Sequence, residues 1–230
     1  MKKTLLLLTI AVLCLGSYAS ADVFTIIPDR ATQNPTDIID WTQLGPDGTV
    51  LGTPQLVFTA NGFPALVGNV TGAPFARVDV GFSWQQSEFD YGESLVWTVA
   101  GGPFLMELTN PVNSVGFGIE PDQFGAFTAI VALFDPSFNL LGTFSFNGNS
   151  PVCGNSCYGG DEMFVGIGDL SGNNIGAILI DTTTAVGVNS DFAIDDPSFT
   201  YGSVPEPSSL VLLGSGLIGV AGVVRRKLGR

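Results

Sequence analysis

The chain has 230 residues, 8 lysines and arginines against 21 aspartates and glutamates, a formal net charge of −13 and no histidine. Negative charge on this scale repels phosphate backbones and excludes nucleic acid as a partner. The missing histidine rules out Ser-His-Asp and Cys-His nucleophile systems and any zinc site built on imidazole.

At the N-terminus, Lys2 and Lys3 precede the apolar run Leu5–Leu15, and Ala19 and Ala21 put small residues at the two positions a signal peptidase reads. Residues 1–21 therefore read as a signal peptide for the Sec export machinery, with Asp22 as the mature N-terminus. Cys14 does not make a lipoprotein signal, because Leu13 stands before it where a small residue is needed. The central stretch, Asp22–Ser203, is long enough for one domain with a sizeable core.

The only positive charges in that domain are Arg30 and Arg77, and of the 21 acidic residues only Glu206 lies outside it. Such a surface keeps an exported domain soluble, and its oxygen ligands could attract Ca²⁺. Asp195 and Asp196 are the first candidates for the ion: in an alternating strand one of them faces inward at the sheet edge, where a carboxylate needs a cation or several donors. Asp161, Glu162 and Asp22 are possible additions. Carboxylates that merely cap turns or face water are the competing account.

From Asp22 onward the pattern is of short strands separated by turn residues. Val23–Ile27 and Ile38–Trp41 read as the first two, the second ended by the turn residues Gly45–Gly48. Leu56–Thr59 and Ala65–Val70 can pair across Asn61-Gly62, a dipeptide suited to a tight hairpin. Ala76–Trp84 alternates, with Arg77, Asp79 and Gly81 on one face and Val78, Val80 and Phe82 on the other. Leu95–Val99 and Phe104–Leu108 come next. Val112–Ile119, Phe127–Phe134 and Leu140–Phe146 read as a meander. Phe164–Ile167, Ile175–Asp181, Phe192–Ile194 and Ser198–Tyr201 close the domain. No window of helical periodicity interrupts this, and 30 glycines, 14 prolines and 17 phenylalanines suit a turn-rich fold with an aromatic core. The expectation is all-β: a two-sheet antiparallel sandwich of jelly-roll type, flanked by the signal peptide and a C-terminal transmembrane helix.

Cys153 and Cys157 form an even pair once Cys14 leaves with the signal peptide, so a small disulfide ring is expected on the oxidising side of the membrane. Closing so short a loop contributes on the order of 2 kcal/mol at most. No phosphate-binding loop is present, since no helix comes after the glycine-rich stretches. Paired carboxylates are the remaining equipment for catalysis, with Glu88, Glu93, Glu107 and Glu120 as candidates, but nothing in their spacing sets two of them to work. No catalytic residue is assigned. Trp41, Trp84, Trp97, Tyr91 and Tyr158 could stack on sugar rings if they share an exposed face, or else fill a sandwich core.

The tail is built of three consecutive zones. Pro205, Glu206 and Pro207 make a stiff, donor-poor strip. An uncharged stretch from Ser208 to Val224 then lies at the short end of the roughly 20 residues a membrane-crossing helix needs. Arg225, Arg226 and Lys227 come last as a basic stop that stays on the cytoplasmic side. Within the stretch, Ser215 and Gly219 offer a small-residue face to another helix. This order resembles the PEP-CTERM sorting signal of bacterial envelope proteins over residues 204–230. The resemblance implies an exosortase-type membrane protease as partner and a destination at the cell surface or in the exopolysaccharide matrix. Two further stretches, Asp37–Pro46 and Asp191–Phe199, resemble parts of PEP-CTERM cargo domains. The second also looks like the closing strand of jelly-roll domains such as the extracellular MAM type.

The sequence thus describes an exported, non-enzymatic surface or matrix protein without a certain cofactor. A Ca²⁺-dependent carbohydrate-binding module is the first alternative and a carbohydrate-active hydrolase the second, polysaccharide being the ligand in either.

Overall fold

The computed structural model describes residues 23–84, 88–99, 101–152, 158–184 and 191–202. The expected signal peptide with Asp22, the Cys153–Cys157 pair and the C-terminal tail lie outside the described residues. Fifteen strands are found: β1 (Phe24–Ile26), β2 (Asp37–Ile38), β3 (Thr49–Leu51), β4 (Gln55–Phe58), β5 (Pro64–Asn69), β6 (Phe75–Asp79), β7 (Ser94–Trp97), β8 (Phe104–Val112), β9 (Ser114–Pro121), β10 (Gly125–Phe134), β11 (Leu140–Ser150), β12 (Met163–Asp169), β13 (Ile175–Thr184), β14 (Phe192–Ile194) and β15 (Ser198–Thr200). One helical turn, α1 (Arg30–Gln33), and a 3-10 turn over Trp41–Leu44 complete the inventory among the described residues.

The strands form two antiparallel sheets. The nine-stranded sheet runs β1-β12-β9-β14-β7-β6-β3, with β15 beside β9 and β2 beside β15. The six-stranded sheet runs β11-β10-β13-β8-β5-β4. Alternating side chains from both fill the space between: Val115, Phe117 and Ile119 from β9 and Val131 and Leu133 from β10 are fully buried, as period-2 strands with one face on a core require. Trp41 reaches into this core, with its ring edge-to-face on Phe104 at 6.5 Å.

The hairpin across Asn61-Gly62 is present, β4 pairing β5 from Gln55↔Val67 to Phe58↔Pro64. Leu140–Phe146 pairs Phe127–Phe134, in agreement with the sequence pattern. The meander does not extend to Val112–Ile119: β9 crosses to the opposite sheet and pairs β12, β14 and β15. Apolar density could not distinguish the two, because both sheets need equally apolar strands facing one core. The second expected strand is shorter, Asp37–Ile38, because the Asp40 carboxylate accepts the Thr42 amide at 2.8 Å and starts the 3-10 turn. Thr49–Leu51 is a strand that the sequence pattern does not distinguish from the turn before it.

Ala76–Trp84 also departs from expectation. Its strand ends at Asp79, and Gly81 at φ 84° turns the chain back. A Cβ there would run into the Tyr91 ring. Both faces of β6 are covered. Phe75 joins the intersheet core, whereas Ala76, Val78 and Val80 join Trp84, Phe89, Leu95 and Ala193 in a second apolar cluster on the outer side of the nine-stranded sheet. Arg77, expected on a polar face, is only 5% exposed and donates to Asp79 at 2.8 Å and Ser94 at 2.6 Å.

The outer side of β9 carries Ser114, Gly116, Gly118 and Glu120, all buried. The two glycines are required by close approach. A Cβ on Gly118 would lie 2.5 Å from the Glu162 side chain and 2.9 Å from the Asp195 carboxylate. We expect Gly118→Ala to lower stability by about 1–3 kcal/mol in urea unfolding, the usual cost of overpacking. Gly52→Ala, where nothing lies within 4 Å, should leave the midpoint unchanged.

Candidate functional site

Two features of the described residues bear on function, and a third is the point where the tail leaves the fold. The first is the segment Asp195-Asp196-Pro197, which separates β14 from β15. Both short strands run along the same side of β9, with Ile194 opposite Ile119 and Ser198 opposite Gly116. Asp195 fills the gap between them: its amide donates to the Gly118 carbonyl at 3.2 Å, and its Oδ1 accepts the Gly118 amide at 2.7 Å. The side chain thus takes the place of a backbone carbonyl in the ladder. The expected position of Asp195 and Asp196 at a sheet edge is corrected by this arrangement, since β14 lies between β9 and β7 in the sheet interior.

A cation does stand against Asp195, and it is Arg30. The guanidinium pairs with Asp195 Oδ2 and donates to the Asp196 carbonyl at 2.9 Å. Helix α1 places it there. Asp29 caps the helix by accepting the Thr32 amide at 2.6 Å, and Asn34 ends it at φ 50° in the left-handed region. From the same turn, buried Gln33 donates to the Ser198 carbonyl at 2.9 Å and accepts from Ser198 Oγ at 2.6 Å. Arg30 also lies 5.6 Å from the Phe164 ring centre. Asp196 is held separately: its Oδ1 accepts the Trp41 amide at 3.0 Å, while Trp41 Nε1 donates to the Asp195 carbonyl at 2.7 Å.

Around this pair the carboxylates outnumber the cations. Burial, then Asp195 and Glu162, push the Glu93 carboxyl up to about 8. Burial pushes Asp196 to about 7, against the opposing Trp41 hydrogen bond. Glu162 is raised, chiefly by burial, and its Oε2 is enclosed without a hydrogen-bond partner. Next to them, Glu120 accepts from Ser150 Oγ at 2.7 Å and from the Glu88 amide at 3.2 Å, and burial with Glu120 and Asp161 raises Glu88. Of the four glutamates considered for catalysis, Glu88, Glu93 and Glu120 therefore lie on the outer side of the nine-stranded sheet. Glu107 is on β8 in the other sheet. The two described salt bridges, Arg30–Asp195 and Arg77–Asp79, commit both arginines of the domain. Among the described residues, no group of three or more Asp, Glu or Cys is placed to hold a metal ion. Chemically, Glu93 and Asp196 are two carboxyls whose burial moves their titration toward neutral pH.

The second feature is aromatic. Of the residues considered for stacking on sugars, Trp41 and Trp84 are buried, Trp84 packing edge-to-face on Trp97 at 6.0 Å. The tryptophans thus fill cores and do not join an exposed face with the tyrosines. Tyr91 and Tyr158 do come together, rings 5.4 Å apart, with Phe82 5.8 Å from Tyr91. Tyr91 is 63% and Phe82 56% exposed. Sequence reasoning misses Phe82 as a partner because the alternation of Ala76–Trp84 assigns it to an inward face.

The third feature is the exit of the chain. Tyr201 donates its hydroxyl to Asp37 Oδ2 at 2.9 Å and packs on Phe63 at 5.5 Å, and Gly202 donates its amide to Asn173 Oδ1 at 2.6 Å. The fold is pinned up to its last described residue.

The carboxyl cluster makes stability depend on pH. Glu93 and Asp196 have folded-state pKa values above their unfolded ones, so their contribution is fully present below about pH 4 and is lost as pH rises through about 7 and 8. Stability should therefore increase from pH 8.5 to pH 5.5, as read from chemical-denaturation midpoints, and Glu93→Gln should flatten that dependence. Arg30→Gln leaves the Asp195 charge buried without its partner. The expected loss is about 2 kcal/mol at pH 8, reduced from the fully buried case because Arg30 is partly exposed. The loss should shrink as pH falls and Asp195 takes up a proton.

Comparison with curated protein sequences found no match. Among solved structures, a DUF4465 family protein from Bacteroides caccae aligns with a TM-score of 0.42 at 9% identity, covering 72% of this chain and 100% of that one. The enzymatically active domain of tailspike protein 4 from bacteriophage CBA120 aligns with a TM-score of 0.27 at 11% identity, covering 80% of this chain and 20% of that one. Neither likeness is close enough to carry an argument about this chain. The family comparison is specific: residues 203–227 match the PEP-CTERM protein-sorting motif. The match starts one residue after Gly202, and it includes Pro205, Glu206, Pro207, Arg225, Arg226 and Lys227. By that segment the chain carries the PEP-CTERM protein-sorting motif, directly after the last residue of the described fold.

Proposed function

We propose that this protein is a non-enzymatic component of the bacterial cell surface or exopolysaccharide matrix, delivered there through its sorting tail. The observation that carries the reading is the PEP-CTERM match at residues 203–227, joined directly to a β domain whose last residues are hydrogen-bonded into the fold. On this reading, signal peptidase removes residues 1–21, the tail holds the chain in the inner membrane, and an exosortase acts on it there. The acidic domain is then displayed outside, its Cys153–Cys157 pair oxidised.

The jelly-roll assignment is supported by strand order. Strands β7 to β14 visit the two sheets in the sequence one-two-one-two-two-one-two-one. They give the orders β7-β14-β9-β12 and β8-β13-β10-β11 within the longer sheets, the arrangement of eight strands folded as a double Greek key. A non-catalytic role is supported by the use of the carboxyl cluster, where Asp195 completes a β-ladder and both arginines are committed to ion pairs.

A second reading, carbohydrate binding, is favoured by the exposed group Phe82, Tyr91 and Tyr158, since aromatic faces stack on sugar rings. Ca²⁺ could assist on the acidic surface.

Replacing Pro205, Glu206 and Pro207 with alanine in the native host should leave the protein unprocessed in the inner membrane and absent from the surface fraction. Unchanged processing and location would overturn the sorting reading. For the second reading, Tyr91→Ala with Tyr158→Ala should abolish saturable binding on a polysaccharide array while leaving the melting temperature within about 1 °C. Binding that also disappears in EDTA would assign the ion a part in it.

A further inference from the structure

The two sheets together have five strands at their margins, and these are not alike. In the nine-stranded sheet β1, β2 and β3 are three, two and three residues long. In the six-stranded sheet β4 has four. All four are too short to template another strand, a common protection of free sheet edges. The fifth, β11, is 11 residues long. It pairs only β10, from Gly125↔Ser150 to Phe134↔Leu140, and among the described residues no strand lies on its other side.

None of the devices that normally protect such an edge is found in β11. Leu140–Ser150 contains no charged residue and no proline. Its one register irregularity lies at the far end, opposite Leu133/Phe134. From Thr143 to Asn149 the strand is regular, with Thr143, Ser145, Asn147 and Asn149 exposed in alternation. Every second residue there turns its amide and carbonyl away from β10, a row about 20 Å long that no strand among the described residues pairs. The margin beside it is apolar as well. β1 lies next to β11 across the sandwich, Phe24 packing on Phe144 at 5.3 Å. Val23, Ile26, Leu140 and Leu170, at the ends of β1, β11 and β12, are more than half exposed.

We propose that β11 is the surface through which two copies of this chain associate, antiparallel about a two-fold axis near Ser145, joining their six-stranded sheets into one. Charge selects a second copy as the occupant. Two strongly acidic domains repel over most of their surfaces, and β11 with β1 is a margin on which neither copy brings a carboxylate. A two-fold axis sets Ser145 opposite Ser145 and Thr143 opposite Asn147, uncharged pairs that fit and hydrogen-bond across strands. The exposed apolar side chains of each β1 margin then meet the partner's.

The test uses the full exported chain in detergent. Sedimentation velocity over roughly 1 to 200 µM should give a concentration-dependent dimer, and amide exchange from Thr143 to Asn149 should slow as concentration rises. Ser145→Glu with Asn147→Glu puts like charges across the axis and should weaken the dimer at least about tenfold at low salt. High salt should restore much of it by screening. At the low-concentration end, where wild type and variant are both monomeric, the melting temperatures should agree within about 2 °C, both side chains being exposed. Ser145→Glu alone, which sets like charges opposite each other on the axis, gives the same readout if the double variant does not fold. A wild-type chain monomeric throughout would overturn the proposal. So would a dimer that the variants leave intact, which would place the contact elsewhere, the tail included.

Discussion

The contact on which most of this structure depends is the one between Arg30 and Asp195. The Asp195 carboxylate, 2% exposed, bonds the Gly118 amide in the ladder gap between β14 and β15. A buried carboxylate is costly unless its charge and its lone pairs are both satisfied. Gly118 and Arg30 do so here, and the arrangement sets three neighbouring conditions. Gly118 must lack a side chain, because Asp195 and Glu162 occupy that space. Helix α1 must form to hold the arginine. Trp41 must stand where its indole and amide bond Asp195 and Asp196. Segments near residues 30, 41, 118 and 195 are thereby tied at one point, far apart in sequence and joined by few atoms.

That contact also explains the asymmetry of the two sheets. The outer face of the nine-stranded sheet is covered, with α1 and the carboxyl cluster over β9 and β12 and the second apolar cluster over β6 and β7. Its inner strands β6, β9 and β14 are accordingly buried on both sides, β9 along its whole length. The six-stranded sheet has one covered face, so β10 and β11 alternate between buried or half-buried and more exposed side chains. Surface that is free to meet a partner lies on that sheet and along its margin. The buried carboxyls on the other sheet make its covering tighter when they are protonated.

The strands were legible wherever one face meets the core and the other meets water, because alternation then has a single cause. β10 and β11 are the clearest case, and the Asn61-Gly62 hairpin is another. Alternation misled at β6, where Arg77 is buried beside Asp79 and Ser94 and both faces are covered. It could not assign β9 to a sheet either, since apolar content says that a strand is buried and not against what. Asp195 and Asp196 were legible as carboxylates in need of a cation. That the cation is Arg30 depends on a fold closing over 165 residues of separation, which no local pattern carries. The aromatic group was half legible: Tyr91 and Tyr158 are there, but Trp41 and Trp84 went to the interiors with Trp97 half-buried beside Trp84, where their larger rings remove more apolar surface from water.

The tail was the most legible part because its signal is linear: proline strip, apolar run and basic end are read in order, without a fold to bring them together. What the structure adds is the junction. β15 is hydrogen-bonded to β9 on one side and β2 on the other, Tyr201 is fixed to Asp37, and Gly202 is fixed to Asn173. The motif begins at the next residue. Force or a protease acting on the tail thus meets a strand held on both sides, not a fraying terminus. Opening it would break two ladders and uncover Ser198, whose bonds with Gln33 anchor α1 and through it Arg30. Exit point and ion pair are thereby coupled: an intact Arg30–Asp195 contact keeps β15 in the sheet up to the residue before the motif.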